Sequence, residues 1–258
     1  MRLLIVRHGD PDYEPDTVTQ AGAKEADALA ALMRREQIDH FYVSPMGRAK
    51  RTIAPTLEAM DREAQVLDWL EEFPAELDVN GNAFLQEVYP GTETNPDGTF
   101  GKRIVWDMLP HGWKNDPAYY GVDTLKDTPV GRNSDIVAVY RRVCRGLDAL
   151  LEQHGYKREG MLYTTKMGNR KTLALFCHFG LSCVILSRLW NVSPFVLWHS
   201  LVMAPSSVTE LHTEERVKGK VTFRASRIGD ISHLYAAGLK PSFAARFCET
   251  FESDWEEH

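Results

Sequence analysis

Three short stretches of this chain carry residue types suited to holding a phosphate-sized anion. The first is Arg7-His8-Gly9, at the end of the apolar run Leu3-Leu4-Ile5-Val6. It supplies a cation, an imidazole and a glycine that lets backbone come close. The second is Ser44-Pro45-Met46-Gly47-Arg48-Ala49-Lys50-Arg51-Thr52, following the apolar His40-Phe41-Tyr42-Val43. Ser44 fits a helix N-cap and Pro45 the first helical position. Arg48 then falls on the first turn, with Thr52 one turn further along the same face. A helix N-terminus itself favours anions through free N–H groups and its dipole. The third is Thr172–Cys177, an apolar run that ends in His178, with Gly180 next but one and the helical pattern Leu181–Trp190 beyond. Each has a bland reading. Arg-His-Gly arises by chance, Lys50 and Arg51 suggest a solvated basic helix, and a histidine at a strand end is more often structural. Repetition at three strand ends points instead to one site, because open α/β sheets bind ligands beyond the carboxyl ends of their strands.

The elements that must position these residues are readable in outline. Short apolar runs at 3–6, 40–43 and 172–177 read as buried, parallel strands, and Ala64–Asp68 as a further strand. Thr19 to about Glu36 has an Ala/Leu-rich helical pattern with Thr19 as cap. Asn133–His154 reads as a long helix with Ile136, Val139, Tyr140, Val143, Leu147, Leu150 and Leu151 on its apolar side and Gly155 as stop. Met161–Thr165 and Thr172–Cys177 are expected to form a hairpin. Val208–His212 and Val221–Arg224, separated by a charged turn, are expected to form another. The pattern predicts an α/β fold: a three-layer αβα sandwich with a mixed, mainly parallel central sheet. Residues 1–258 read as one domain with an insertion at about 74–132. That stretch lacks clear periodicity and holds Phe84, Tyr89, Phe100, Trp106, Trp113, Tyr119 and Tyr120, which suits either a functional insertion or aromatic packing onto the sheet.

Composition narrows the function. The chain of 258 residues has a formal net charge of −6, so no global basic field attracts nucleic acid or a membrane surface. No run approaches a membrane span, and the first residues read as a strand without signal-peptide flanks. Cys144, Cys177, Cys183 and Cys248 lack CxxC pairing and read as reduced core thiols of a cytoplasmic protein. His8, His178, His199, His212 and His233 lack the paired spacings of zinc sites, so no metal is expected; no cofactor is expected either. Gly180-Leu-Ser182-Cys-Val departs from the serine-hydrolase elbow.

Taken together, Arg7-His8-Gly9, Ser44-Pro45-x-x-Arg48-Ala49-x-x-Thr52 and His178-x-Gly180 resemble the motifs of the histidine phosphatase (phosphoglycerate mutase-like) superfamily. Val18-Thr19-x-x-Gly22 is similar to the segment opening its first helix, and Gly229–Leu234 to its closing segment. The resemblance covers residues 1–73 and 172–190 strongly and 74–171 weakly. It implies a metal-independent phosphohistidine mechanism with His8 as nucleophile. Arg7, Arg48 and His178 would surround the phosphoryl oxygens, and an acidic residue after the third strand would protonate the leaving group. The family's Leu-x-Glu spacing selects Glu72, with Glu71 as competitor and Trp69 and Phe73 as an apolar wall. The family's glycine-containing continuation is absent here, where Pro74-Ala75 follows. The insertion would be a cap that sets substrate preference, with Trp106, His111 and Trp113 as candidate contacts.

The reading that results is a phosphomonoester hydrolase acting on a small phosphorylated metabolite or a phosphorylated side chain. A phosphoglycerate mutase-type transferase is the alternative. The mutase continuation after the first motif is missing, since Asp10-Pro-Asp-Tyr-Glu stands there. A non-catalytic phospholigand-binding protein is the third reading. Its expected partner is a small phosphate ester, with neither nucleic acid nor membrane; substrate identity and oligomeric state are not encoded in the motifs.

Overall fold

Strands that are apolar on both faces belong in the middle of a sheet, and the three runs that precede the candidate residues lie side by side there. The computed structural model describes residues 1–89 and 94–242 and resolves two units, one of residues 1–71, 167–179 and 202 onward, the other of 72–166 and 180–201. In the first unit, β1 (Arg2–Arg7), α1 (Gln20–Met33), β2 (His40–Val43), α2 (Gly47–Met60) and β3 (Ala64–Val66) follow in sequence. The chain returns to this unit as β4 (Thr172–Cys177), then β5 (Val208–Val217) and β6 (Lys220–Asp230). These strands lie in the order β3-β2-β4-β1-β5-β6. The pairs β3/β2, β2/β4 and β4/β1 are parallel, whereas β1/β5 and β5/β6 are antiparallel. The result is a mixed sheet with a mostly parallel core flanked by helices, as the pattern predicts.

Alternation along the strands decides what reaches the site. Leu4 and Val6 of β1, Phe41 and Val43 of β2, and Ala174 and Phe176 of β4 point to one face, where they pack with Leu29 and Met33 of α1 and Ala49 and Ile53 of α2. Side chains alternate with period two. One residue past the strand ends, His8 and His178 therefore continue this same face. Arg7 falls in register with Cys177 and Val6 with Phe176, so the two imidazoles leave adjacent strands at matched height. The His8 N–H donates to the Cys177 carbonyl at 3.0 Å, and the Ser44 N–H to that of Phe176 at 2.9 Å.

Three expectations are corrected. Helix α2 starts at Gly47 with Met46 as N-cap, not at Ser44-Pro45. The Ser44 hydroxyl has a long-range partner and also accepts the Met46 N–H, so it shapes the turn before the helix. Met161–Thr165 does not pair with Thr172–Cys177. Leu162–Thr164 forms its hairpin with Lys157–Glu159, while β4, buried at every position, is claimed by β1 and β2. The second hairpin does form, but its strands run on through the segment expected to be a charged turn and reverse only after Val217, where Gly219 takes a positive φ. Cross-strand pairs such as Glu214 with Arg224 (2.7 Å) keep those charges within the ladder. The Thr19 cap holds as expected: its hydroxyl accepts the Gly22 N–H.

The second unit contains α3 (Ile136–Gln153), most of α4 (Phe179–Trp190), the short helix Pro194–Trp198 and the two-residue pairing of Glu76–Leu77 with Arg103–Ile104. All seven residues assigned to the apolar side of α3 are buried. An aromatic core fills this unit, with Phe73 and Trp106 against Trp198 and Trp113 against Phe195 and His199. Cys144, Cys177 and Cys183 are buried, and burial raises the pKa of the Cys144 thiol to about 11, far from thiolate reactivity. Cys248 lies outside the described residues. No helix among the described residues is long and apolar enough to cross a membrane.

Candidate active site

At the tips of β1, β4 and β2, within the first unit, the structure gathers four of the residues singled out by the sequence. The His8 and His178 ring centroids are 5.0 Å apart. Arg7 and Arg48 both lie within electrostatic range of the two imidazoles. All four side chains belong to buried residues.

His8 is fixed in a chemically specific form. Its Nδ1 lies 2.7 Å from the Gly9 carbonyl oxygen, which can only accept, so Nδ1 carries the proton and Nε2 keeps its lone pair. Burial and then the Arg7 charge drive the imidazole down to about 3, with Arg48 acting the same way against the opposing effects of the Gly9 carbonyl and Asp16. The competition between cations and burial on one side and anions on the other is thus decided in favour of neutral His8. His178 is lowered too, by burial first and then by His8, Arg48 and Arg7. Its Nε2 lies 2.8 Å from the Ser44 hydroxyl.

The guanidinium groups are held from behind. Arg7 donates through Nη1 to the Met203 carbonyl, and its guanidinium carbon lies 5.8 Å from the centre of the Phe179 ring. The Arg7 and His8 backbones are tied to the same loop, Arg7 N–H to the Ser207 carbonyl (3.1 Å) and Ser206 N–H to the His8 carbonyl (2.9 Å). Arg48 projects from the first turn of α2 and pairs with Asp16 at 2.6 Å. Thr52, one turn on, donates to the Arg48 carbonyl and accepts the Gly9 N–H at 2.8 Å, fastening α2 to the loop that carries the nucleophile candidate.

Acidification tests this neutral cluster. Because His8, His178 and His233 are all depressed in the folded state, the unfolded chain binds more protons below its ordinary histidine pKa of about 6.5. Stability is therefore intact above about pH 6.5 and falls as pH drops from there toward 4, by up to about 1.4 kcal/mol per pH unit for each such histidine. The expected outcome is a steep decline in Tm over that window. A Tm flat from pH 7 to 4.5 contradicts it.

A match to the model of the histidine phosphatase superfamily (branch 1) spans residues 3–84, which include Arg7, His8 and Arg48. Over residues 3–84 the chain is similar to the histidine phosphatase superfamily. The adenosylcobalamin/alpha-ribazole phosphatase of Salmonella typhi is 31% identical over 81 residues, a match covering 28% of this chain and 40% of that protein. Mycobacterial glucosyl-3-phosphoglycerate phosphatase, in a complex with inorganic phosphate, superposes with a TM-score of 0.54 at 17% identity, covering 90% of this chain and 98% of the other. Phosphoserine phosphatase from Entamoeba histolytica, a mutant in complex with phosphoserine, gives a TM-score of 0.51 at 16% identity with coverage of 90% and 98%. At such identities these two likenesses speak for the histidine phosphatase fold.

The remaining candidates from the sequence lie in the second unit, apart from Trp69 and Glu71, which belong to and close the short 3-10 turn Asp68–Leu70 of the first. Glu72 caps the first turn of α4: its Oε1 accepts the N–H groups of Phe73 (2.8 Å) and Leu181 (3.0 Å), and its Oε2 that of Gly180 (3.4 Å). A side chain at Gly180 would collide with the Trp106 ring, which explains the glycine of His178-x-Gly180. Phe73 packs with Trp106 and Trp198, so Trp198 was the unforeseen member of the apolar wall, while Trp69 belongs to the first unit. Trp106 is half-buried, Trp113 is buried in the aromatic core, and His111 is exposed. Sequence reasoning missed Ser44 as the partner of His178 and Asp16 as the partner of Arg48. Ser44 looked like a helix cap because its neighbour is proline, and Asp16 was one acid among several in a loop.

Proposed function

We propose that this chain is a phosphomonoester hydrolase that works through a phosphohistidine at His8. One observation carries the reading: His8 is neutral, its Nδ1 proton is committed to the Gly9 carbonyl, and its ring lies 5.0 Å from that of His178 with the charges of Arg7 and Arg48 acting on both. In the first step the Nε2–P bond forms as the P–O ester bond breaks, and the leaving alkoxide takes up a proton. Arg7, Arg48 and His178 hold the equatorial oxygens, where charge is spread in the transition state. In the second step water attacks phosphorus, the N–P bond breaks, and neutral His8 returns with inorganic phosphate as product. Substrates are small phosphate esters.

Quenching the wild-type enzyme during turnover of a radiolabelled monoester should trap label on His8 in a bond stable to base and labile to acid. Label on a serine, or none at all during active turnover, refutes the mechanism. Release of the label to water rather than to a second alcohol separates a hydrolase from a mutase-type transferase.

The resemblance assigns Glu72 as proton donor to the leaving alkoxide, and the three N–H groups that hold its carboxyl fix its position. Glu72→Gln should slow alkyl phosphates, whose alkoxides leave poorly, at least tenfold more than aryl phosphates, on the scale of general acid catalysis. Equal losses for both ester types argue against the role.

A further inference from the structure

The loop that follows the nucleophile candidate is a small hairpin, Pro11–Asp12 paired with Thr17–Val18, and its tip is docked on the N-terminus of α2. Asp16 makes that contact. Its Oδ2 accepts the Gly47 N–H at 2.6 Å and its Oδ1 pairs with Arg48 Nη1 at 2.6 Å. The seat is built for it. Asp16 itself adopts a left-handed φ of 48°, and a side chain at Gly47 would come within 2.1 Å of the Asp16 carbonyl oxygen. The N-terminus of this 14-residue helix, the natural place for a ligand carboxylate, thus already holds a carboxylate of the chain. Arg48 is divided between two tasks. Nη1 is committed to Asp16, while Nε is buried with no hydrogen-bond partner among the described residues, a donor left over for an anion.

The surroundings reinforce the sign. From His8 to Ala23 the sequence holds Asp10, Asp12, Glu14 and Asp16 and no lysine or arginine. Asp12 and Glu14 are exposed, and Asp16 lies close enough to act electrostatically on His8. Tyr13 is 61% exposed, with the Arg48 guanidinium over its ring at 5.5 Å, and adds an aromatic surface beside these carboxylates. A phosphate entering here meets buried cations, but an acidic group on its alcohol meets an anion already in place.

We propose that Asp16 is a specificity residue that restricts the site to phosphate monoesters whose alcohol portion carries no carboxylate, neutral and cationic alcohols being accepted. This rests on the phosphomonoesterase reading and names its substrate class. It sets the chain apart from the phosphoserine phosphatase whose fold it shares, which was captured with a carboxylate-bearing ester.

Matched pairs isolate that one group: phosphoethanolamine against phosphoserine, and glycerol 3-phosphate against 3-phosphoglycerate. Each is measured as a competitor of p-nitrophenyl phosphate turnover, so that a poor substrate still reports its affinity. In the wild type the carboxylate-free member should compete about tenfold better, the scale of a like-charge contact in partly screened surroundings. The preference should shrink at high salt, where exposed charges are screened. Asp16→Asn should reduce the preference to about twofold or less within each pair. Equal competition in the wild type, better competition by the carboxylated member, or failure of both members to compete overturns the proposal. So does a preference that salt leaves untouched, a measurement that needs only the wild type should Asp16→Asn not fold. Absence of any p-nitrophenyl phosphate turnover refutes the phosphatase reading itself, whereas turnover with no discrimination refutes only the role of Asp16.

Discussion

His8→Ala leaves no turnover of any phosphate monoester above background and no acid-labile phosphoenzyme. The expectation follows from geometry more than from motif. Nε2 of His8 is the atom with a free lone pair, because Nδ1 is held at 2.7 Å by a carbonyl that can only accept its proton. Removing the ring removes the covalent path, and an uncatalysed phosphate ester is among the slowest of biological substrates. The neighbouring His178 does not take over, since its Nε2 is engaged with the Ser44 hydroxyl at 2.8 Å. Steady-state rates on an aryl phosphate and acid–base stability of trapped label check this. Residual activity above about one thousandth of wild type would assign the nucleophile elsewhere. Because neutral His8 persists down to about pH 3, its own protonation should also leave the rate untouched through the neutral range. Any acid limb near pH 6 then belongs to the phosphate ester or another group.

Arg48→Ala should cost about 10²–10³ in kcat, the range seen when one oxyanion donor is lost from an active site. Arg48 is buried on the first turn of α2, so its charge acts at close to full strength on an oxyanion nearby. Alanine at this position also strands the Asp16 carboxylate beside the site without its counter-charge, which adds repulsion to the missing attraction. Arg48→Lys should recover only part of the loss, because an ammonium cannot serve Asp16 and a phosphoryl oxygen through one planar fork. Kinetic constants for the three proteins on one aryl phosphate decide the matter. A loss below about tenfold for Arg48→Ala, or full rescue by lysine, would remove Arg48 from the catalytic set.

The parts of the site that the sequence made legible are those governed by short-range rules. Leu3–Val6 and Thr172–Cys177 are too short and too apolar to be anything but interior strands, and interior strands of an α/β sheet deliver their following residues to one edge. Thr19 announces a helix through a cap that depends only on the next three residues. What stayed hidden depends on partners far along the chain. Ser44 serves a histidine 134 positions away, and nothing in Ser-Pro-Met-Gly distinguishes that duty from capping. Asp16 is chosen over Asp12 and Glu14 by a backbone turn of φ 48° and by the absence of a side chain at Gly47, neither of which leaves a periodic trace. The expected hairpin of β4 failed for a related reason. Adjacency in sequence favours pairing with Leu162–Thr164, but burial on both faces favours a seat between β1 and β2.

The in-step arrangement of β1 and β4, with Val6 opposite Phe176 and Arg7 opposite Cys177, limits how this chain can change length. Deleting one residue inside either strand turns its terminal imidazole to the far side of the sheet and brings the preceding cation or thiol onto the face it left, one same-face position short of its place. Additions to the connections between strands move neither ring. Viable insertions and deletions should therefore fall in the loops, and a library of single-residue deletions should find the two ribbons ending in His8 and His178 among the least forgiving stretches of the molecule.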